Sequence, residues 1–249
     1  MTIESTVLIC IAIAIVAFLY SSVGHAGASG YIAVMTLFGL SSAIIKPSAL
    51  TLNIVVACLA SWQFWRAGHF SWRLFWPFAV FSIPFAFSGG SFQLPTRIFN
   101  VLIGSVLLYS AARFLITSST SGNDQSETAT PPAKPVAFAA GAGIGLLSGL
   151  TGTGGGIFLT PLMIFRQWAD TKTASAVSAL FILVNSIAGL LGYYRTTRQL
   201  PGVALYLVAA ALAGGALGSY LGSRRFSSTF IKKLLAVVLI IAGTKLIFA

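Results

Sequence analysis

Only 8% of the 249 residues are charged while 57% are hydrophobic, so a water-soluble fold would lack the polar surface to cover itself, and a bilayer is the natural solvent. The formal net charge of +11 does not point to nucleic acid, because the 15 basic residues sit singly or in pairs at the ends of apolar runs, where anionic headgroups explain them better. Cys10 and Cys58 both lie in apolar runs; two such residues build neither a disulfide framework nor a zinc site, so they are read as packing residues, and no metal or cofactor is expected.

In chain order, apolar runs fall at roughly 7–20, 49–65, 74–87, 99–116, 136–150, 174–194, 203–221 and 234–248. Several approach the ~20 residues that a spanning helix needs. The stretches 31–40 and 157–165 are too short to cross alone. The first run is preceded by Glu4 and no Lys or Arg, unlike a secretory signal, and is predicted to be a retained helix. The segment SSTSGNDQSETATPPAK bisects the chain and reads as a flexible linker. It divides a first transmembrane repeat (1–117) from a second (136–249), with 118–135 between them.

The two sides repeat one order of features: an apolar helix, a glycine-rich break, a short apolar piece, a lysine, then three longer helices. Ser48-Ala49-Leu50 matches Ser178-Ala179-Leu180, and Arg66 falls opposite Arg195, as internal duplication requires. Duplicated transporters are inverted when each half has an odd number of crossings and parallel when the number is even. If the short piece continues the helix before it, the basic residues divide almost evenly between the faces. If it turns back, ten fall on one face (Arg66, Arg73, Arg113, Lys134, Arg166, Lys172, Arg224, Arg225, Lys232 and Lys233) and five on the other. That bias places the linker in the cytoplasm and both termini outside. Length agrees, since residues 135–167 as one helix would measure about 50 Å against a hydrocarbon core of about 30 Å. The expected fold is therefore an all-α polytopic membrane protein of two inverted halves, each with a broken or re-entrant helix, in the cell inner (plasma) membrane.

The first break runs from Ser21 and Ser22 through Gly24, His25, Gly27 and Ser29 to Gly30; the second contains Thr151, Gly152, Thr153, Gly154, Gly155 and Gly156. Such sequences are poor helix formers, and unwinding exposes N–H groups that lipid cannot satisfy, so the backbone there must be buried in protein or line a wet cavity. Each following short helix begins with free N–H groups and a partial positive charge, which together suit an anion at mid-depth. Ser22, Ser29, Thr151 and Thr153 are then expected hydroxyl donors to oxyanion oxygens. The bland reading is that the glycines only allow close helix packing.

The patterns SVGHAGASGYIAVM…KPSALTLN…RAGHFSWRLFWPF and LSGLTGTGGGIFLTPLM…WADTKTASAVSALFILVNSIAGLLG resemble the TauE/SafE (sulfite exporter) family over nearly the whole chain outside the linker. The resemblance implies export of sulfite or a small organosulfonate. His25 and Ala26 stand where the second break is richer in glycine, so an asymmetric site is expected.

His25 is the one histidine inside an apolar region, His69 lying in a polar turn. Its imidazole, with an ordinary pKa of about 6.5, is read either as an anion donor that also carries a proton or as a neutral ring satisfied by a carbonyl. Lys46 and Lys172 occupy the same place in each half, either drawing anions into opposite vestibules or snorkelling to headgroups. Asn53 and Asn185 either line the site or bond between helices. No carboxylate is expected within the membrane, which disfavours a cation pump. The substrate-binding set is thus Ser22, Gly24, His25, Gly27, Ser29, Asn53, Thr151, Gly152, Thr153, Gly154, Gly155, Gly156 and Asn185. The expected partners are a small anion, protons and the lipid bilayer. The expected function is secondary transport of that anion by alternating access; a passive anion channel shares the same lining, and a membrane enzyme would need a pair such as Ser22 or Ser29 with His25.

Overall fold

A computed structural model describes residues 3–40, 42–92, 108, 111–112, 130–198 and 202–248. Most of the predicted run at 99–116, and residues 118–129 of the predicted linker, lie outside the described residues. Described regular structure is helical throughout: α1 (Ile3–Ser22), α2 (Ala28–Leu37), α3 (Ser42–Arg66), α4 (Trp72–Ser91), α5 (Lys134–Thr151), α6 (Gly156–Phe165), α7 (Thr171–Thr197), α8 (Leu205–Arg224) and α9 (Ser228–Phe248). Among the described residues α1, α3, α4, α7 and α8 are long and apolar enough to cross a membrane. Their outward faces carry Ile11 and Ile15, Val80 and Phe81, Ile187 and Leu191, and Leu212 and Leu217, side chains that water would reject and lipid accepts.

Helix boundaries follow local chemistry. The Asp170 carboxylate caps α7, accepting from the N–H groups of Lys172 at 2.9 Å and Thr173 at 3.0 Å. Gly152 closes α5 in the left-handed region, its N–H donating to the Ser148 carbonyl at 2.8 Å. Trp62, Trp65 and Trp72 lie exposed around the α3–α4 turn, with Arg66 over the Trp62 ring at 5.0 Å, as at a membrane–water boundary.

Close approaches fix the relative directions of the helices. Gly141, Gly145 and Gly149 of α5 meet the carbonyls of Phe78, Ser82 and Ala86 in rising order, so α4 and α5 run parallel. Gly214, Gly218 and Gly222 of α8 meet the carbonyls of Ala14, Phe18 and Ser22 in rising order, so α1 and α8 run parallel. At each of these six glycines a Cβ would overlap a carbonyl oxygen, and small residues are what let the backbones touch. Gln63 Nε2 donates to the Ala216 carbonyl at 3.3 Å and His69 Nε2 to the Ser223 carbonyl at 3.0 Å, which brings the C-terminal ends of α3 and α8 together. Along α7, Gly154 meets Ser186 and Gly156 meets Ile182, while Thr160 bonds Ser178; α6 therefore runs antiparallel to α7. In the first half, Gly30 of α2 packs on Val16 and Tyr20, so α2 folds back along α1.

Two cores result. One joins Ile9, Ile13 and Ala17 of α1, Tyr31 and Met35 of α2, Ala49, Leu52 and Val56 of α3, and Leu207 and Ala211 of α8. The other joins Phe78 and Ala79 of α4, Ala137 and Ile144 of α5, Leu159 and Met163 of α6, and Ala174, Val177 and Phe181 of α7. Each core draws on the other side of the chain: α8 and Ile182 of α7 enter the first, and α4 enters the second.

Gly145→Val should force α5 away from the Ser82 carbonyl and cost about 1–3 kcal/mol of overpacking. Gly143, beside which a Cβ meets nothing within 4 Å, should accept Ala without loss. Thermal unfolding in detergent checks both, with a lowered midpoint expected only for Gly145→Val.

Candidate functional site

The helical path of α1 closes with His25 N–H donating to the Tyr20 carbonyl at 2.9 Å, and α2 begins at Ala28. Between them Gly24 (φ +76°) and Gly27 (φ +99°) are left-handed; between α5 and α6, Gly152 (φ +73°), Gly154 (φ +79°) and Gly155 (φ +81°) are left-handed. A glycine pair three residues apart brackets each segment, because side chains bearing a Cβ rarely adopt this conformation. The residue after the first member is His25 in one segment and Thr153 in the other.

The structure brings the two segments together. His25 is 2% exposed, and a Cβ built on Gly156, the first residue of α6, would lie 3.5 Å from its Cδ2. Its Nε2 is 2.9 Å from Thr160 Oγ1, and that hydroxyl donates to Ser178 Oγ at 2.7 Å. Nδ1 is buried and makes no hydrogen bond of good geometry, although the Gly156 backbone approaches the ring. Ser148 Oγ, also fully buried and unpartnered, belongs to a side chain whose Cβ is 3.2 Å from a Cβ placed on Gly155. The amino end of α6 is thus flanked by two orphaned polar groups.

Asn53 ties the second segment to the long helices: its Nδ2 donates to the Thr153 carbonyl and to Ser186 Oγ, both at 3.3 Å. Asn53 and Ser186 lie near the middle of α3 and α7, so this segment sits at half their length. Lys46 lays its methylenes on Gly152, with Cγ 3.2 Å from a Cβ built there, and no carboxylate pairs with it among the described residues. Lys172 lies in the first turn of α7, and since α3 and α7 pass Asn53 against Ser186 and Leu50 against Gly189, the two lysines stand at opposite ends of that antiparallel pair.

Several residues read from the sequence as donors make other bonds. Ser22 Oγ donates to the Phe18 carbonyl at 2.7 Å, and Asn185 Nδ2 to the Phe181 carbonyl at 2.8 Å, both one helical turn back. Ser29 Oγ donates to the Tyr20 hydroxyl at 3.0 Å. Thr151 Oγ1 donates to the Leu147 carbonyl at 2.7 Å and meets Thr153 Oγ1 at 2.8 Å. His25 therefore pairs with Thr160 and with neither Ser22 nor Ser29. Thr160, Ser178, Ser186 and Ser148 are contacts that sequence reasoning did not single out. The signal was present in α7, where Thr171, Ser175, Ser178, Asn185 and Ser186 form a buried stripe at helical spacing in an otherwise apolar helix.

A bundle of apolar spanning helices with an unwound, glycine-lined junction in its interior defines a multi-pass membrane protein of transporter type. The sulfite exporter TauE/SafE family model matches residues 9–246, and the chain belongs to that family. It is 37% identical over 240 residues, 96% of this chain and 97% of the relative, to the probable membrane transporter protein y4hK of Sinorhizobium fredii. It is 30% identical over 169 residues, 65% of this chain and 62% of the relative, to the probable membrane transporter protein YunE of Bacillus subtilis. No solved structure matches.

Asn53→Leu removes the donor to the Thr153 carbonyl and should destabilise the second segment by about 1–3 kcal/mol, the usual cost of an unsatisfied buried polar group. Hydrogen exchange should show faster exchange at residues 152–156 with little change in α9.

Proposed function

We propose that this chain is a secondary transporter of the plasma membrane that exports a small sulfur oxyanion, sulfite or an organosulfonate, by alternating access around the junction of its two glycine-rich segments. The observation that carries this reading is the meeting of the segments: His25 from the first stands against Gly156 at the amino end of α6 in the second. Free N–H groups and the helix dipole favour a negative charge there, and two buried polar atoms without partners, His25 Nδ1 and Ser148 Oγ, belong to side chains beside the same end. The substrate class follows the family name. Lys46, a half-buried cation beside Gly152, adds attraction for an anion approaching the second segment.

A Cβ on Gly154 would come within 2.9 Å of Asn53 Nδ2 and Ser186 Oγ, so the junction is packed shut and an anion enters only when the surrounding helices part. Inversion of the halves supplies that motion. In its favour, α1 is parallel to α8 and α3, and α5 is parallel to α4; since the short turn at 67–71 reverses α3 into α4, α1 and α5 run oppositely. The fold-back of α2 on α1, and the antiparallel run of α6 on α7, agree with short helices that turn back within the bilayer.

With purified chain in liposomes, sulfite flux should saturate and show counterflow, whereas a channel shows neither. Gly155→Val, which forces a β-branched residue to φ +81° with its Cβ 2.9 Å from the Phe181 ring, should lower that flux on the order of tenfold or more at equal reconstituted protein. Unchanged flux rejects the site. For the topology, single cysteines at Gly68 and Gly202, where a Cβ meets nothing within 4 Å, should be labelled from opposite faces in a background lacking Cys10 and Cys58. Labelling from one face would replace inverted halves with parallel ones.

A further inference from the structure

The hydrogen-bond chain His25–Thr160–Ser178 fixes which nitrogen of the imidazole carries a proton. A threonine hydroxyl has one hydrogen, and that of Thr160 is donated to Ser178 Oγ at 2.7 Å. At 2.9 Å from the same oxygen, His25 Nε2 must therefore be the donor, an N–H directed at the Thr160 lone pair. In the neutral ring this leaves Nδ1 as a bare lone pair, buried and without a hydrogen-bond partner, on a ring whose Cδ2 stands 3.5 Å from a Cβ built on Gly156 at the amino end of α6. A lone pair repels an anion. The amides of α6 and the Ser148 hydroxyl can donate to an oxyanion, but the imidazole can join them only with an added proton between Nδ1 and the bound oxygen.

We propose that a proton is an obligatory co-substrate at this junction: each anion binds together with about one proton, held between an anion oxygen and His25 Nδ1. The inference rests on the functional reading above and deepens it. An N–H bond forms at Nδ1 with a proton drawn from the water that admits the anion, and the same bond breaks when both leave on the other side; nothing is oxidised or reduced. For a monoanion the loaded junction gains no net charge, which suits a site with no carboxylate among the described residues to balance a cation and with lipid around it. The groups facing the ring are the Tyr20 phenol of α1, at 6.4 Å between ring centroids, the Gly156 backbone, and the Thr160 and Ser178 hydroxyls of α6 and α7. Glu4 is in the first turn of α1 and Asp170 caps α7; Lys46 lies on Gly152, and Lys172 is in the first turn of α7. None of these four hydrogen-bonds the imidazole.

Calorimetry on the detergent-purified full chain, titrated with sulfite and with methanesulfonate at pH 8 in buffers of differing ionisation enthalpy, measures proton uptake on binding. At that pH the free imidazole is neutral, its ordinary value being about 6.5. About one proton taken up per anion is expected. His25→Gln, whose amide can still donate to Thr160 but accepts no proton, should bring uptake near zero. Thr160→Val frees Nε2 from its donor role, lets the neutral ring carry its hydrogen on Nδ1, and should also lower uptake while an anion still binds. Binding without proton uptake in the wild-type chain overturns the coupling and leaves the anion site standing. Failure of both anions to bind overturns the functional reading and the coupling with it. Uptake that persists undiminished in both variants assigns the proton elsewhere and overturns the role of His25.

Discussion

Backbone amides and carbonyls inside a bilayer have no water to fall back on, so any stretch that leaves the helical hydrogen-bond ladder must find its partners within the protein. This requirement organises the whole bundle. The two glycine-rich segments are enclosed by α3 and α7, and the long helices supply what the segments lack: Asn53 bonds the Thr153 carbonyl, and Gly24 lies against the backbone at Ser175. Absence of side chains in the segments is what permits that enclosure, since Ile182 and Phe181 occupy the space that Cβ atoms on Gly154, Gly155 and Gly156 would need.

The same enclosure sets the electrostatics. With carboxylates confined among the described residues to Glu4 and Asp170, both at helix amino ends, nothing inside the bundle offers a standing negative partner. Beside the second segment stand the amino end of α6 and the Lys46 ammonium, neither paired with a carboxylate among the described residues. A bundle built this way offers a cation no carboxylate in its interior among the described residues.

Much of the architecture is readable in the sequence. Apolar runs mark the described spanning helices to within a few residues at most ends, and the glycine motifs mark where helices stop, because both depend on composition over a window. At Ser42–Arg66 the run read from residue 49 underestimates the helix, since Lys46 and Pro47 interrupt hydropathy without interrupting the helix. Side-chain partners are less legible. The hydroxyl of Ser22 turns back to Phe18, and that of Ser29 goes to Tyr20, choices set by rotamer and helix register rather than residue type. Thr160 and Ser178 are eighteen positions apart and meet only because α6 runs back along α7. The glycine stripes show the same limit: Gly89 on α4 and three glycines on α5 make one contact, while the α1–α8 contact uses three glycines on α8, and residue type alone does not say which carbonyls they meet.

The place of α8 in the first core bears on how the chain is made. The helix against which the Ala14, Phe18 and Ser22 carbonyls of α1 pack is α8, two hundred residues later in synthesis. The face of α1 that carries these carbonyls therefore has no partner until α8 is made, and the first core closes only then. Maturation is in this sense non-sequential: the amino-terminal half is made early and its core completed late.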